Sequence, residues 1–267
     1  IEPNVPAAIS NPSWENHRGV FEAAGYEVLE YNYFDSKTRG VDFAGMVKSL
    51  ESFPKRTLVV LHVCCHNPTG ADLTKEQWLK VIEICRERDL IPFLDMAYQG
   101  FAAGIEQDGI AVRLFAESGM SFFVSSSFSK SFSLYGERVG ALSIVTQSKD
   151  ESTRVLSQLK RVIRTNYSNP PTHGAAIAAA VLNSPELRKL WEDELAEMRD
   201  RIKAMRQGLV QKLAAAGVKQ DFAFIEAQRG MFSYSGLSAE QVERLQKEDG
   251  IYALSTGRIC VAALNTK

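Results

Sequence analysis

Apolar runs that end in polar residues alternate with amphipathic helical stretches along the first half of the chain. Thr74 and Gln77 have the spacing of a capping box at the start of one helix, and residues 109–118 predict another. Strands and helices alternating at this spacing predict right-handed crossovers and a largely parallel sheet. The runs typical of buried strands lie at 58–63, 89–95 and 122–124.

The pattern after residue 139 is mainly helical. Residues 140–145 predict one more strand, and the next helix carries the apolar positions Val155, Leu156, Leu159 and Val162. A long helix follows, with Ser184 as its cap, Pro185 at its first position and Gly217 as its stop. Its apolar stripe comprises Leu187, Leu190, Trp191, Met198, Ile202, Met205, Leu209 and Leu213.

Beyond the long helix the pattern changes to shorter elements. Two apolar runs at 222–226 and 231–234 flank the sequence Gln-Arg-Gly at 228–230, which predicts a β-hairpin. We therefore predict a large α/β domain over 1–198 and a smaller α+β domain over 199–267. A helix that crosses such a boundary is typical of a link between domains.

Composition narrows the possible functions. The chain has 267 residues, 45% hydrophobic, with a net charge of −1, so it can bury a large core and offers no surface suited to nucleic acid. No apolar run approaches the roughly 20 residues that span a bilayer. The cysteines lack disulfide or zinc-finger spacing, which favours a reducing, cytoplasmic setting: Cys64, Cys65, Cys85 and Cys260.

The two ends of the sequence suggest missing segments. The chain begins at Ile1 without an initiator methionine and stops at Lys267, soon after a strand-like run. We therefore expect it to be incomplete at both ends, and a lost targeting segment stays open.

Polar residues collect where the predicted strands end. These ends carry His62 to Asn67, Asp95 to Tyr98, and Ser125 to Lys130. Because ligands bind beyond the carboxyl ends of parallel strands, this convergence predicts a polar ligand site. A lysine at the end of a buried strand is costly unless its charge is neutralised, and a Schiff base with an aldehyde does this. Read alone, Lys130 fits an exposed loop lysine equally well.

The combination of residues favours pyridoxal phosphate. Lys130 would hold its aldehyde, and Asp95 would keep its pyridine nitrogen protonated. Tyr98 and Asn67 can donate to the ring oxygen, and the phosphate would take hydroxyls and an arginine, here Ser127 and Arg138. Trp14 suits stacking on a flat ligand, although a packing role is the commoner one.

Other chemistries fit less well. The sequence has no phosphate loop of the Walker type, no dinucleotide-binding glycine pattern and no serine-hydrolase elbow. The histidines and cysteines of residues 62–66 lack an established metal spacing, so we expect no metal site. His62 and His17 are expected to be buried, hydrogen-bonded groups.

Seven segments in collinear order resemble the class I aspartate and aromatic-amino-acid aminotransferases. The resemblance covers nearly the whole chain, and Ser-Leu-Tyr-Gly-Glu-Arg at 133–138 is closer to the bacterial aromatic, or tyrosine, branch. The segments are Asn-Pro-Ser-Trp at 11–14, His-Asn-Pro-Thr-Gly at 66–70, Phe-Leu-Asp-Met-Ala-Tyr-Gln-Gly at 93–100, Ser-Phe-Ser-Lys at 127–130, Tyr-Gly-Glu-Arg-Val-Gly at 135–140, Asn-Tyr-Ser-Asn-Pro-Pro at 166–171 and Ser-Thr-Gly-Arg at 255–258.

The resemblance implies a mostly parallel mixed sheet flanked by helices, the fold type I of pyridoxal-phosphate enzymes, with a smaller α+β domain. It implies that Lys130 carries the cofactor and moves the proton, and that Arg258 binds the substrate α-carboxylate. Arg164 and Ser168 match residues that reach the neighbouring subunit's site in a homodimer, Arg164 for a distal carboxylate and Ser168 for the cofactor. The remaining matched positions are Asp95 at the pyridine nitrogen, Trp14 on the ring, Asn67 and Tyr98 at the ring oxygen, Ser127 and Arg138 at the phosphate, and His17 and His62 behind Asp95.

The sequence analysis therefore predicts an aminotransferase that uses pyridoxal 5′-phosphate. It would move the amino group of aromatic amino acids, aspartate or both to 2-oxoglutarate. The chain departs from the family pattern at its ends, where the N-terminal phosphate-binding loop and the final helix have no match. Two alternatives stay open: a truncated, weak or inactive aminotransferase-like fragment, and another fold-type I enzyme such as a lyase or decarboxylase. Arg164 argues against the second, because a dicarboxylate clamp serves the glutamate half-reaction.

Overall fold

The structure, a computed structural model, describes residues 4–265. Ile1 and Lys267, on which the expectation of missing segments rests, lie outside this range. The strands are β1 (Ala7–Asn11), β2 (Val28–Asn32), β3 (Phe34–Asp35), β4 (Gly40–Val41), β5 (Leu58–His62), β6 (Ile91–Met96), β7 (Phe122–Ser127), β8 (Gly140–Val145), β9 (Phe232–Tyr234) and β10 (Arg258–Cys260). The helices are α1 (Glu15–Ala23), α2 (Phe43–Ser52), α3 (Lys75–Glu87), α4 (Ile105–Asp108), α5 (Ile110–Glu117), α6 (Lys149–Asn166), α7 (His173–Asn183), α8 (Pro185–Ala215), α9 (Phe224–Ala227) and α10 (Ala239–Asp249).

A six-stranded sheet forms the centre of the fold, in the order β2-β1-β5-β6-β7-β8. All neighbours pair in parallel except β8, which is antiparallel to β7. The prediction of a mostly parallel mixed sheet flanked by helices is therefore confirmed. Every residue of β5 is buried, because helices cover both faces at the centre of such a sheet.

The helix α3 begins and packs as its sequence predicts. The side chain of Thr74 accepts from the main-chain N–H of Gln77, and the side chain of Gln77 accepts from the main-chain N–H of Thr74 in return. Trp78, Val81 and Cys85 are buried in the core that α3 shares with the sheet. This anchors the turn that precedes α3, and that turn carries part of the site.

The long helix α8 joins two regions of the fold. Ser184 caps it by accepting from the N–H of Leu187 at 3.3 Å, and Gly217 follows its end with φ at +75°. Its middle packs through Leu195 and Ile202 on a second apolar cluster that also contains Cys65, Tyr98 and Val261. The proposed domain boundary at 198/199 falls inside this helix and stays a prediction.

The predicted hairpin at 222–234 is wrong. Residues Phe224–Ala227 form a short helical turn, and β9 pairs with the distant β10 instead. The side chain of Gln228 takes the place of a partner strand, because it accepts from the N–H of Tyr234 at 3.1 Å and donates to its carbonyl at 3.3 Å. A side-chain bond of this kind competes with strand pairing.

Two other features lie outside what the periodicity predicted. Residues 26–52 form β2, the small β3–β4 hairpin and α2, none of which was assigned. The helix α6 has no buried residue, and its apolar side chains Leu156 and Val162 are 50% and 60% exposed. Within residues 4–265, no helix combines the length and the apolar character needed to cross a membrane.

Candidate active site

Three strand ends form one polar row at the carboxyl edge of the sheet. In the strand register, His62 of β5 lies beside Asp95 of β6, and Asp95 lies beside Ser125 of β7. The convergence that the sequence predicted is therefore present in the structure. Parallel pairing brings it about, because neighbouring strands end at the same edge.

A line of hydrogen bonds runs from the main chain to the carboxylate of Asp95. The N–H of Asn67 donates to Nδ1 of His62 at 3.2 Å, so the proton of a neutral His62 is on Nε2. This Nε2 donates to Nδ1 of His17 at 3.3 Å, which places the His17 proton on Nε2, 2.9 Å from Oδ2 of Asp95. One main-chain amide thus determines both imidazole tautomers and leaves Asp95 as the final acceptor.

The environment keeps Asp95 ionised. Burial alone would raise its pKa, but the hydrogen bond from His17 and the electrostatic effects of His62, His17 and, least, Lys130 outweigh burial and hold the pKa below its ordinary value. The side chain is only 17% exposed. Its Oδ1 receives a single long hydrogen bond, from Ser125 at 3.5 Å, so a largely buried negative charge has one weakly satisfied oxygen. Such a carboxylate suits a cationic partner.

A third histidine, His66, stabilises the turn next to this line of hydrogen bonds. His66 is buried, and burial lowers its pKa well below the ordinary value, as it does for His62. Its ring nitrogens bond to the hydroxyls of Ser10 at 2.9 Å and Thr69 at 2.8 Å, and its ring stacks on Tyr33 at 3.9 Å. These neutral contacts fix the turn that carries Asn67.

Lys130 lies near the polar row and packs against two aromatic rings. Its Nζ is 4.6 Å from the ring centroid of Tyr98 and 5.5 Å from that of Tyr135. Burial lowers the pKa of Lys130, and the charge of Arg138 lowers it further, although Asp95 opposes both. A lysine with a lowered pKa provides more of the neutral amine that attacks a carbonyl group.

Arg258 reaches the same site from β10. Its Nη1 donates to Oδ1 of Asn67 at 2.9 Å, and its guanidinium lies 4.4 Å from the ring centroid of Phe232. Within residues 4–265 no carboxylate forms an ion pair with Arg258, so its guanidinium has room for an external anion. The planar fork of arginine is suited to a carboxylate.

The other predicted cofactor residues lie around this cluster. Ser127 ends β7 and accepts from the N–H of Ser129 at 3.2 Å. Arg138 is exposed, donates to the carbonyl of Tyr135 at 3.0 Å and has φ at +53°. Trp14 is 42% exposed beside His17, with 5.2 Å between ring centroids. These side chains offer a hydroxyl, a cation and an exposed aromatic ring, and their assignment to the cofactor stays a prediction.

Arg164 and Ser168 lie apart from the cluster. Nη1 of Arg164 donates to the hydroxyl of Ser168 at 2.6 Å, and both side chains are exposed at the end of α6. No contact recorded within residues 4–265 joins this pair to Asp95 or Lys130. Their assignment to a neighbouring subunit's site stays a prediction.

The structure adds contacts that the sequence reasoning missed. Ser13 bonds Nδ1 of His17 at 3.0 Å, Tyr135 faces Lys130, and Phe232 lies against Arg258. Ser13 and Tyr135 stand inside the recognised segments 11–14 and 135–140, so proximity to those motifs was an available signal. Phe232 had none, because it belongs to the run that was wrongly assigned to a hairpin.

Comparison with known proteins identifies the family to which the chain belongs. A family model described as "Aminotransferase class I and II" matches residues 1–267, and the chain belongs to that family. It is 67% identical over 263 residues to an aspartate aminotransferase of Pseudomonas aeruginosa, covering 98% of this chain and 66% of that protein. It is 54% identical over 258 residues to the aromatic-amino-acid aminotransferase of Escherichia coli, covering 97% and 65%.

A solved structure agrees closely with the fold. The aromatic-amino-acid aminotransferase of Burkholderia pseudomallei, described as covalently bound to pyridoxal phosphate, superposes with a TM-score of 0.98 at 68% identity. The match covers 99% of this chain and 66% of that one. The chain thus spans just under two thirds of the length of these relatives.

Proposed function

We propose that the chain forms the main part of a pyridoxal-phosphate-dependent aminotransferase. One observation carries the proposal: Asp95, bonded to His17 and weakly satisfied at its other oxygen, lies close enough to Lys130 for each charge to shift the pKa of the other. A protonated pyridine nitrogen is the cationic group that such a carboxylate suits, and an aldehyde is the group that such a lysine suits.

Each residue of the site then has a defined task. Pyridoxal phosphate, when bound, supplies an electron sink for the substrate α-carbon. Asp95, oriented by His17, would hold the proton on the ring nitrogen. Lys130 would hold the cofactor's aldehyde end and would move the proton at the α-carbon. Arg258 and Asn67 together bind the α-carboxylate and orient the substrate.

The remaining predicted residues would complete the cofactor site. Trp14 would cover one face of the ring, and the hydroxyl of Tyr98 would donate to the ring oxygen. Burial raises the pKa of Tyr98, which keeps that hydroxyl protonated as a donor. Ser127 and Arg138 would bind the phosphate.

The substrate class follows from the relatives and from Arg164. Relatives at 67% and 68% identity are named for aspartate and for aromatic amino acids respectively, so we propose that the protein accepts both. The acceptor would be 2-oxoglutarate. Arg164 would bind the distal carboxylate of the acidic substrates.

We propose that Arg164 serves the active site of a neighbouring subunit. The exposed apolar face of α6 gives a basis for such a homodimer, because Leu156 and Val162 would be buried in it. Arg164 and Ser168 lie at the end of that same helix. We place the protein in the cytoplasm, in line with a Dictyostelium discoideum relative, 46% identical, that is named as cytoplasmic.

Two measurements test the proposal. After loading with pyridoxal phosphate, borohydride reduction and peptide mass spectrometry should find the cofactor mass on Lys130. The Lys130→Ala variant should lose it and stay folded, whereas Lys75→Ala, at an exposed lysine at the start of α3, should keep it. Glutamate should then convert the cofactor absorbance to the pyridoxamine form. Labelling elsewhere would refute the site, and no conversion would leave a lyase or an inactive fragment.

A further inference from the structure

Residues 228–232, here called the bridging segment, contact both parts of the proposed carboxylate site: Arg258 and the turn that carries Asn67. The N–H of Arg229 donates to the carbonyl of Gly70 at 2.6 Å, in the turn that carries Asn67. A Cβ on Gly70 would lie 2.9 Å from Cβ of Gln228 and 3.0 Å from the carbonyl oxygen of Phe232. The backbones therefore meet at a distance that only glycine allows.

A buried arginine holds this segment in place. Arg206 of α8 is 2% exposed, and no carboxylate within residues 4–265 is recorded in an ion pair with it. Its guanidinium donates instead to the carbonyls of Gly230 at 2.6 Å, Phe232 at 2.7 Å and Ile225 at 3.3 Å, and to the hydroxyl of Ser233. Burial lowers its pKa to about 10, so it is still charged at neutral pH.

The segment ends with a ring that contacts the substrate-binding arginine. Phe232 lies 4.4 Å from the guanidinium carbon of Arg258, and its ring edge meets Tyr98 with centroids 6.2 Å apart. Asn67 holds the same guanidinium by its hydrogen bond at 2.9 Å. Arg258 is thus oriented by the bridging segment on one side and by the turn docked to that segment on the other.

We propose that Phe232 is a positioning residue for carboxylate binding, held in place by Arg206. The ring of Phe232 fixes the plane of the Arg258 guanidinium, so that two of its N–H groups point to the carboxylate position before a carboxylate binds. This inference rests on the proposed function for the identity of the substrate. It predicts an effect on carboxylate affinity, with little effect on the rate of the bound complex.

A binding experiment separates the two proposals. The probe is 3-phenylpropionate, which has a carboxylate and an aromatic ring but no amino group, titrated into the pyridoxal-phosphate-loaded chain by calorimetry. We expect Phe232→Leu to weaken binding about fivefold, the scale of losing one partly exposed cation–π contact. Phe232→Tyr should restore near-normal affinity, because it keeps the aromatic face.

The matched control is Phe224→Leu. Phe224 is also half-buried and also lies beneath an arginine, Arg39, at 5.4 Å, but on the β3–β4 side of the fold. It should leave affinity unchanged. Arg206→Lys, which cannot reach four acceptors, should weaken binding in the same direction as Phe232→Leu, with the bound cofactor's absorbance unaltered.

The outcomes are distinct. Unchanged affinity in Phe232→Leu, an equal loss in Phe224→Leu, failure of Phe232→Tyr to restore binding, or no binding by the unaltered protein would each overturn the inference. If the unaltered protein binds the probe but does not transaminate glutamate, the proposed function fails and the positioning role stands. In an active protein, KM for the amino acid should rise with Kd while kcat stays within about twofold.

Discussion

Replacing Asp95 by asparagine tests the charge at the centre of the site with little change in shape. Asparagine keeps an oxygen that can accept from His17, at 2.9 Å in the present structure, but it removes the negative charge. Two opposite charges at about 4 Å, with an effective dielectric near 20, interact by about 4 kcal/mol. Since about 1.4 kcal/mol changes a rate tenfold, we expect the half-reaction to slow by about a thousandfold.

Rapid mixing of the pyridoxal-phosphate-loaded chain with saturating glutamate measures this step, because cofactor absorbance reports a single turnover. The control is Ser125→Ala, which removes a hydroxyl 3.5 Å from the same carboxylate and leaves the charge. We expect a loss of about threefold or less in that variant. A rate for Asp95→Asn within about threefold of the unaltered protein would refute the reasoning. Equal losses in both variants would show that bonding geometry, and not charge, is responsible.

Two further outcomes are expected. Arg164→Leu should lower kcat/KM for aspartate about thirtyfold more than for phenylalanine, because a charged hydrogen bond to the distal carboxylate is lost. Steady-state kinetics with both substrates measures this difference. Equal losses would contradict the role of Arg164 as a distal-carboxylate ligand. Gly230→Ala should lower the free energy of unfolding by about 2 kcal/mol more than the control Gly119→Ala. Both glycines have positive φ, so the backbone strain is shared, but only at Gly230 would a Cβ overlap the side chain of Cys65. Urea unfolding measures this difference, and equal losses would show that the bridging segment is not closely docked.

Much of the central fold could be predicted from local signals. The capping box of Thr74, the cap at Ser184 and the stop at Gly217 are all formed, because each depends on groups within a few residues. The pattern of buried strands also predicted the parallel sheet, since a run that is apolar on both faces needs cover on both.

Elements that depend on distant partners could not be predicted in this way. The run at 231–234 has the composition of a hairpin strand, but β9 pairs with β10, which follows it only after α10. The other run of the predicted hairpin, 222–226, instead contributes to the helical turn Phe224–Ala227, and the distant Arg206 donates to the carbonyl of Ile225 in that turn. Residues 26–52 alternate polar and apolar positions too weakly to indicate three short strands.

The site shows the same division. Lys130, Asp95, Asn67 and Arg258 came from motifs in the sequence, and the structure brings them together around Tyr98. Motifs do not show which nitrogen of an imidazole carries a proton. The line from the Asn67 amide through two histidines to Asp95 depends on distances across three elements.

The amino-acid sequence established the chemistry that the chain can offer: a lysine, a carboxylate and an arginine at the ends of predicted elements, with the family they indicate. Those conclusions hold because residue types and local caps are properties of short segments. The order of the strands, the tautomers behind Asp95 and the hydrogen bond from Arg206 to the carbonyl of Phe232 needed the folded structure. Each of these depends on groups that are far apart along the chain and meet only when the sheet and α8 are packed together.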